Sequence, residues 1–152
     1  MRTLVVDDQS SCRTLLQKLL SRMGHRVDCA ENGRDAVLLY VHAAEQGQPY
    51  HFVCMDNEMP VMNGSLAVEM IRAWEQDHYK TARRSMICFV TGDVVCHCKY
   101  RETCGGDCLT RFFSKPLDVK RFVELAHAVA DSCNQCSCNE PERMDHACSD
   151  RQ

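Results

Sequence analysis

Hydrophobic and polar positions along the chain follow two alternating patterns: short continuous apolar runs, and longer stretches with helical spacing. Short runs rich in Val, Phe and Ile predict buried β-strands; they cover residues 3–6, 51–55, 85–90 and 110–113, and a short strand at an edge of the sheet is expected over residues 26–29. Apolar side chains at i, i+3, i+4 and i+7 predict helices between them, over residues 10–23, 34–45, 65–76 and 119–130. A further short helix is expected within residues 94–107, where the pattern is poor.

This alternation of strands and helices predicts an α/β fold with a parallel sheet. Strands that are apolar on both faces are typical of parallel sheets covered by helices on each side. Right-handed crossovers restrict the possible topologies, and the order 2-1-3-4-5 would put the first and third strands side by side at the switch point. The predicted fold is therefore a three-layer, flavodoxin-like (βα)5 domain with a five-stranded parallel sheet in that order.

The helical spacing also names the side chains expected to face the core. These are Cys12, Leu15, Leu16, Leu19, Leu20, Met23, Ala36, Leu39, Tyr40, Ala43, Ala67, Met70, Ile71, Trp74, Val119, Phe122, Val123, Ala126 and Ala130. Ser10 or Ser11 is expected to cap the first helix, because hydroxyl side chains accept hydrogen bonds from unpaired N–H groups there.

Composition and charge exclude several classes of protein. The chain has 152 residues, the size of one domain, and 45% of them are hydrophobic. Its net charge of −3 gives no basic surface of the kind that binds nucleic acid. No apolar run approaches the roughly 18 residues of a membrane span, and the chain opens on a strand instead of a signal peptide. We therefore expect a cytoplasmic protein that binds neither nucleic acid nor membrane.

The composition changes after Asp131, where large apolar side chains almost disappear. A segment of this kind cannot bury enough apolar surface to offset the entropy of ordering. We therefore predict a folded domain over residues 1–131 and a Cys-rich acidic tail over residues 132–152 that is disordered unless something binds it.

Cysteine is unusually frequent, with 12 in the chain. Cys12, Cys29, Cys54 and Cys88 fall within predicted strands or helix faces and are expected in the core, where a free thiol behaves as a small hydrophobe. The later soft ligands form two groups that could bind zinc: Cys96, Cys98, Cys104 and Cys108, then Cys133, Cys136, Cys138, His146 and Cys148. Neither spacing matches a standard zinc finger, and redox sensing by exposed thiols is an equally open interpretation.

Polar side chains that could bind a metal or take part in a reaction follow four of the five predicted strands. Asp7 and Asp8 come directly after the first, Asp56 after the third, Thr91 after the fourth and Lys115 after the fifth. Because the carboxyl ends of parallel strands meet at one edge of the sheet, these side chains should form a single site. At about 4 Å and an effective dielectric of about 20, each close pair of carboxylates costs about 4 kcal/mol. A cation or a nearby lysine must therefore compensate the charge.

Three carboxylates without His or Cys beside them suit a hard cation with oxygen ligands, of which Mg²⁺ is the natural candidate. Lys115 offers a point charge suited to phosphate, and the Thr91 hydroxyl can donate to a second phosphate oxygen. The site is therefore expected to handle a phosphoryl group. Asp56 is the candidate nucleophile that would form an aspartyl phosphate, because the adjacent pair Asp7 and Asp8 is suited to holding the metal.

Four segments carry a family resemblance. LVVDD at residues 4–8, MDNEMPVMNG at 55–64, VTG at 90–92 and SKP at 114–116 occur in this order. Together they resemble the signature blocks of two-component response-regulator receiver domains, over about residues 2–130. The MDNEMP form in particular resembles receivers attached to hybrid histidine kinases. One departure is Gly92, where the family more often has Ala.

The resemblance implies a receiver domain over residues 1–131 that takes part in phosphorelay signalling. Asp56 would accept a phosphoryl group from a histidine kinase or a histidine phosphotransfer protein. Asp7, Asp8, Asp56 and the backbone carbonyl of Glu58 would bind Mg²⁺ or Mn²⁺. Such a domain catalyses its own phosphorylation and dephosphorylation without being a conventional turnover enzyme, and its oligomeric state is left open.

The resemblance also implies roles on the other side of the site. Thr91 and Lys115 would contact the phosphate, and Thr91 with Phe112 would form the switch that carries the signal to the surface. The peptide between Lys115 and Pro116 would be cis.

Three alternatives remain open. A degenerate receiver would bind protein partners without phosphorylation. A zinc or redox regulator would use the late cysteine clusters. An aspartyl-nucleophile phosphatase fits less well, because that class typically needs a second Asp two residues after the nucleophile, where this chain has Glu58.

Overall fold

The computed structural model describes residues 1–79, 84–92 and 108–137, which form a five-stranded sheet flanked by four helices. The strands β1 to β5 are Arg2–Val6, Arg26–Ala30, Phe52–Met55, Met86–Thr91 and Thr110–Ser114. The helices α1 to α4 are Ser10–Arg22, Gly33–Glu45, Gly64–His78 and Val119–Ser137. Every strand pair is parallel and the order is β2-β1-β3-β4-β5, which confirms the predicted α/β fold. The short helix expected within residues 94–107 lies outside the described residues.

Both faces of the sheet are buried, which explains the continuous apolar runs of the central strands. Side chains alternate between the two faces of a strand, so that Leu4 and Val6 of β1 pack beneath α2 and α3, whereas Val5 packs beneath α1 and α4. All three are at most 1% exposed. A strand covered on both faces needs no polar alternation, because neither face meets water.

Four side chains predicted to face the core are exposed instead: Leu15, Leu39, Met70 and Val119. The other predicted core positions on the helices are buried or partly buried. The buried stripe of each helix is narrower than its apolar stripe; on α1, only Leu16 and Leu20 are fully buried. Helical spacing therefore located the buried face correctly but overestimated its width.

The predicted cap of α1 by Ser10 or Ser11 is wrong. The residue that precedes the helix is Gln9, whose side chain makes no capping hydrogen bond. The backbone N–H of Gln9 instead donates to Asp7 Oδ1 at 2.9 Å. The carboxylate of Asp7, which precedes the helix, therefore accepts the hydrogen bond of the Gln9 N–H at this turn.

Helix α4 ends at Ser137, and not near residue 130 as predicted. The boundary predicted at residue 131 therefore falls inside a helix. The sequence after Ala130 lacks the apolar stripe but contains no Gly or Pro before Pro141, and a helix already nucleated by packing propagates at little cost. The rest of the predicted tail, residues 138–152, lies outside the described residues.

A fully buried carboxylate, Glu75, joins α3 to the amino-terminal ends of the strands. Its Oε1 accepts hydrogen bonds from the Tyr40 hydroxyl at 2.6 Å and the Ser85 N–H at 2.8 Å. Its Oε2 accepts from Arg72 at 2.7 Å, and Arg72 also donates to the Leu109 carbonyl at 3.0 Å. Burial, and then the Glu75 charge, raise the pKa of Tyr40, so the phenol stays protonated and donates. The network ties α2, α3, β4 and β5 together.

Cys54 and Cys88 are buried in the sheet as predicted, whereas Cys12 and Cys29 are only partly buried. Burial raises the pKa of the Cys54 and Cys88 thiols, which keeps them protonated and unreactive. None of the described helices is long and apolar enough to cross a bilayer.

Candidate functional site

Three carboxylates gather at the carboxyl-terminal edge of the sheet. Asp7 follows β1 and Asp56 follows the neighbouring β3; they are 1% and 4% exposed, whereas Asp8 is exposed. One carboxylate oxygen from each lies within 4.8 Å of the other two. The predicted convergence of the three side chains is confirmed. They are the one group of His, Cys, Asp or Glu with metal-binding spacing found in residues 1–79, 84–92 and 108–137.

Lys115 reaches this cluster from the end of β5. Its Nζ donates to Asp7 Oδ2 at 2.8 Å and to Asp56 Oδ2 at 3.1 Å. Burial lowers the pKa of Lys115, but hydrogen bonds to Asp7 and Asp56 and their charges outweigh that effect and raise it. The ammonium therefore stays charged and offsets part of the repulsion between the carboxylates. The Lys115–Pro116 peptide is cis, as the resemblance implied.

Thr91 ends β4 between the Asp56 and Lys115 strands. It is buried, it lies opposite Ser114 in the sheet register, and its carbonyl accepts from the Lys115 N–H at 2.9 Å. The next residue is Gly92, where an added Cβ would meet no atom of the described residues within 4 Å. The Ala that the family usually has there would fit without a clash.

The loop after β3 folds back on Asp56. The Asp56 N–H donates to the Val6 carbonyl at 2.8 Å, and Asp56 Oδ1 accepts from the Asn57 N–H at 2.8 Å. The Asn57 carbonyl accepts from the Gly64 N–H at 3.0 Å, which closes the loop. Glu58 is exposed within it, and its role as a metal ligand stays a prediction.

Arg13 donates hydrogen bonds to the turn after β1 that carries Asp7 and Asp8. This role was not predicted from the sequence. Arg13 Nη1 donates to the carbonyls of Asp7 at 2.7 Å and Asp8 at 2.9 Å, and its Nη2 contacts Glu31 at 2.5 Å. An arginine on a predicted amphipathic helix gives no signal of this kind, because two of its acceptors are backbone atoms of the preceding turn and the third, Glu31, is distant in sequence.

Phe112, the predicted switch residue, stacks on Phe89 with ring centroids 5.1 Å apart and ring planes at 9°. It is partly buried against the core beneath α2 and α3. Its side chain therefore lies on the face of the sheet that α2 and α3 cover. Its role as a switch stays a prediction.

The donor set fits Mg²⁺. The three carboxylates supply only oxygen ligands, as a hard cation requires, and with the Lys115 ammonium they leave a formal charge of −2. A divalent cation would neutralise that charge. The zinc prediction concerns other residues: Cys108 is exposed and Cys133 partly buried, both as free thiols, and the side chains of the other late cysteines lie outside the described part of the chain.

Gly64→Ala is expected to destabilise the fold by about 1–3 kcal/mol. A Cβ at Gly64 would lie 2.0 Å from the Asp56 carbonyl oxygen, a backbone atom, so the turn carrying Asp56 must shift. Urea unfolding followed by circular dichroism measures the change. The matched control is Gly92→Ala, whose Cβ enters open space and should stay within about 0.5 kcal/mol of the wild type. Equal stability of the two variants would contradict the packing of Gly64 on Asp56.

Comparison with known proteins connects this site to a family. The family model for the response regulator receiver domain matches residues 3–127, which include every residue of the site. Two-component response regulator 24 of Arabidopsis thaliana is 40% identical over 72 residues, 47% of this chain and 49% of that protein. Sensor histidine kinase GacS of Pseudomonas protegens is 39% identical over 80 residues, 53% of this chain and 8% of that protein. The chain thus spans about half of the first relative and a small part of the second.

A solved structure gives the same result for the fold. Response regulator protein TrrA from Thermotoga maritima, solved in complex with Mg²⁺-BeF, superposes with a TM-score of 0.65 at 26% identity. The similarity covers 84% of this chain and 97% of that chain.

Proposed function

The chain belongs to the response regulator receiver domain family, and from this premise we propose that it accepts a phosphoryl group from a phosphohistidine onto Asp56. The observation that carries the proposal is the contact of Lys115 Nζ with both Asp7 and Asp56, at 2.8 and 3.1 Å, beside the cluster of three carboxylates. An ammonium and a divalent-cation site then flank the acceptor carboxylate. Both are needed where a highly charged group is to be transferred.

The transfer forms one bond and breaks one. An Asp56 carboxylate oxygen attacks phosphorus, the phosphorus–nitrogen bond of the phosphohistidine breaks, and the imidazole nitrogen keeps the bonding electron pair. Phosphoryl transfer needs little covalent chemistry from the protein beyond the acceptor, so catalysis depends on position and charge. Lys115 orients the Asp56 carboxylate before transfer and afterwards neutralises a phosphoryl oxygen.

The same proposal gives roles to the predicted metal ligands and to Thr91. Mg²⁺ or Mn²⁺ would be held by Asp7, Asp8, Asp56 and the Glu58 carbonyl, and when bound it supplies positive charge to the phosphoryl oxygens. The Thr91 hydroxyl, next to Lys115 in the sheet, would donate to a phosphoryl oxygen.

The output would be a shift between two conformations of the surface near Phe112. In the phosphorylated state, the new contact with Thr91 would favour one of the two. The domain would act as a carrier of the phosphoryl group.

The proposed partner is a histidine kinase or a histidine phosphotransfer protein, and the proposed compartment is the cytoplasm. A match to part of a sensor histidine kinase supports this class of donor. The tight Lys115–Asp56 contact means that the donor must bring its phosphoryl group to the open edge of the sheet, beside the exposed Asp8.

Phosphorylation by acetyl phosphate is expected to depend on a divalent cation. With Mg²⁺ the wild-type chain should gain the mass of one phosphoryl group, and removing the metal with EDTA should lower the rate by about 100-fold or more, because each carboxylate then repels the donor. Intact-mass spectrometry over time measures the rate. Added Mg²⁺ or Mn²⁺ should restore it. A wild-type chain that gains no mass, or gains it equally in EDTA, would overturn the proposed function.

A further inference from the structure

A cleft lies at the opposite edge of the sheet from Asp56, where the strands begin. It has a volume of about 1120 Å³ and is lined by residues at or next to the starts of all five strands, among them Arg2, Arg26, His51, Met86 and Leu109. In a parallel sheet these ends share one edge, so the cleft is remote from the site described above. Pockets for small molecules are typically about 300–1,000 Å³, which leaves room here for a peptide segment.

Helix α4 forms one wall of this cleft because it is longer than the strands it covers. Its 19 residues span about 28 Å at 1.5 Å per residue, whereas a five-residue strand spans about 17 Å. The helix therefore projects beyond the edge of the sheet. Val129, Ser132 and Cys133 in the later turns of this helix line the cleft.

The cleft is strongly basic in a chain whose net charge is −3. Its described lining includes Arg2, Arg26, Arg84 and Arg111, and no Asp or Glu. Arg2 pairs with Asp28 and Arg84 with Glu75. Arg26 and Arg111 make no ion pair with a carboxylate of the described residues; Arg111 donates to the carbonyls of Cys108 and Thr110. Arg26 is close enough to Asp28 for their charges to interact, but neither guanidinium is held in an ion pair, so both can contact an acidic occupant.

We propose that the occupant is the acidic segment of the same chain over residues 138–152. This segment follows Ser137 at the end of α4, on the helix that forms the cleft wall. It carries Glu140, Glu142, Asp145 and Asp150 against Arg143 and Arg151, so its charge is opposite to that of the cleft. A short tether of this kind gives an effective concentration in the millimolar range, which is enough for a weak electrostatic contact to form.

Carbodiimide cross-linking of the full chain tests the proposal. Arg26→Lys and Arg111→Lys keep the positive charge and present a primary amine, which the reagent joins to a carboxylate in contact with it. We expect links from position 26 or 111 to acids within residues 138–152, in the monomer fraction, identified by mass spectrometry. Their yield should be at least about tenfold above that of the control Arg22→Lys, an exposed position on α1 outside the cleft.

The proposed contact between the acidic segment and the cleft is electrostatic, which allows a second measurement. Raising the ionic strength from about 0.05 to about 0.5 M should lower the yield several-fold, because it shortens the screening length. Yields no higher than the Arg22→Lys control, links found only between two chains, or a yield that salt does not change would each overturn the proposal. None of these outcomes depends on phosphorylation of Asp56, so this test is separate from that of the proposed function.

Discussion

Asp56→Asn is expected to abolish phosphorylation by acetyl phosphate. The substitution keeps the shape of the side chain, but an amide oxygen is a far weaker nucleophile than a carboxylate oxygen. Removing the nucleophile of a catalytic group typically costs more than about 10³-fold in rate. The mass gain seen with the wild-type chain and Mg²⁺ should therefore disappear over the same incubation, as intact-mass spectrometry would show.

Two further variants make the Asp56 result specific. Asp8→Asn should retain the acceptor but require more Mg²⁺, because it removes an exposed carboxylate of the cluster while leaving the Lys115–Asp56 contact in place. Asp77→Asn, an exposed position near the end of α3, should match the wild type. Equal phosphorylation of Asp56→Asn and Asp77→Asn would show that the acceptor lies elsewhere.

Glu75→Ala is expected to destabilise the fold by about 3–5 kcal/mol, the usual cost of removing one partner of a buried ion pair. The Tyr40 hydroxyl, the Ser85 N–H and the Arg72 guanidinium would each lose an acceptor in the interior. For a chain of this length, the expected fall in Tm is roughly 10 °C. Urea and thermal unfolding followed by circular dichroism measure both quantities.

The control for Glu75→Ala is Glu69→Ala, which truncates an exposed carboxylate on the same helix. Its effect should stay within about 0.5 kcal/mol. If the two variants are equally stable, the buried network contributes nothing and its atoms find water when Glu75 is removed. Glu75→Gln should fall between them, because the amide oxygen still accepts from Tyr40 or Ser85 but no longer balances the Arg72 charge.

The fold and the centre of the site could be predicted because both follow from strand composition. Residues Leu4 to Val6 of β1 are apolar without interruption, since Leu4 and Val5 pack on opposite faces of the sheet. The parallel arrangement that this implies brings Asp7, Asp56 and Lys115 to one edge. No knowledge of loops or side-chain contacts was needed for that step.

The features that escaped prediction depend on contacts between distant parts of the chain. Glu75 reads as a polar position on α3, and its burial follows only from partners on α2 and at the start of β4. Leu15 and Met70 belong to the apolar stripes of their helices but are exposed in the fold. The end of α4 was predicted where the apolar stripe stops. The helix continues to Ser137 because no Gly or Pro interrupts it.

The hold of Arg13 on the Asp7 and Asp8 carbonyls has a consequence for cation binding. The guanidinium contacts the backbone of the acidic turn and leaves the carboxylate oxygens of Asp7 and Asp8 to other partners. Arg13 therefore holds the backbone of the turn without using the carboxylate oxygens that a cation would contact. A divalent cation at this cluster would meet a turn whose backbone is already held in place, which lowers the ordering entropy that binding costs.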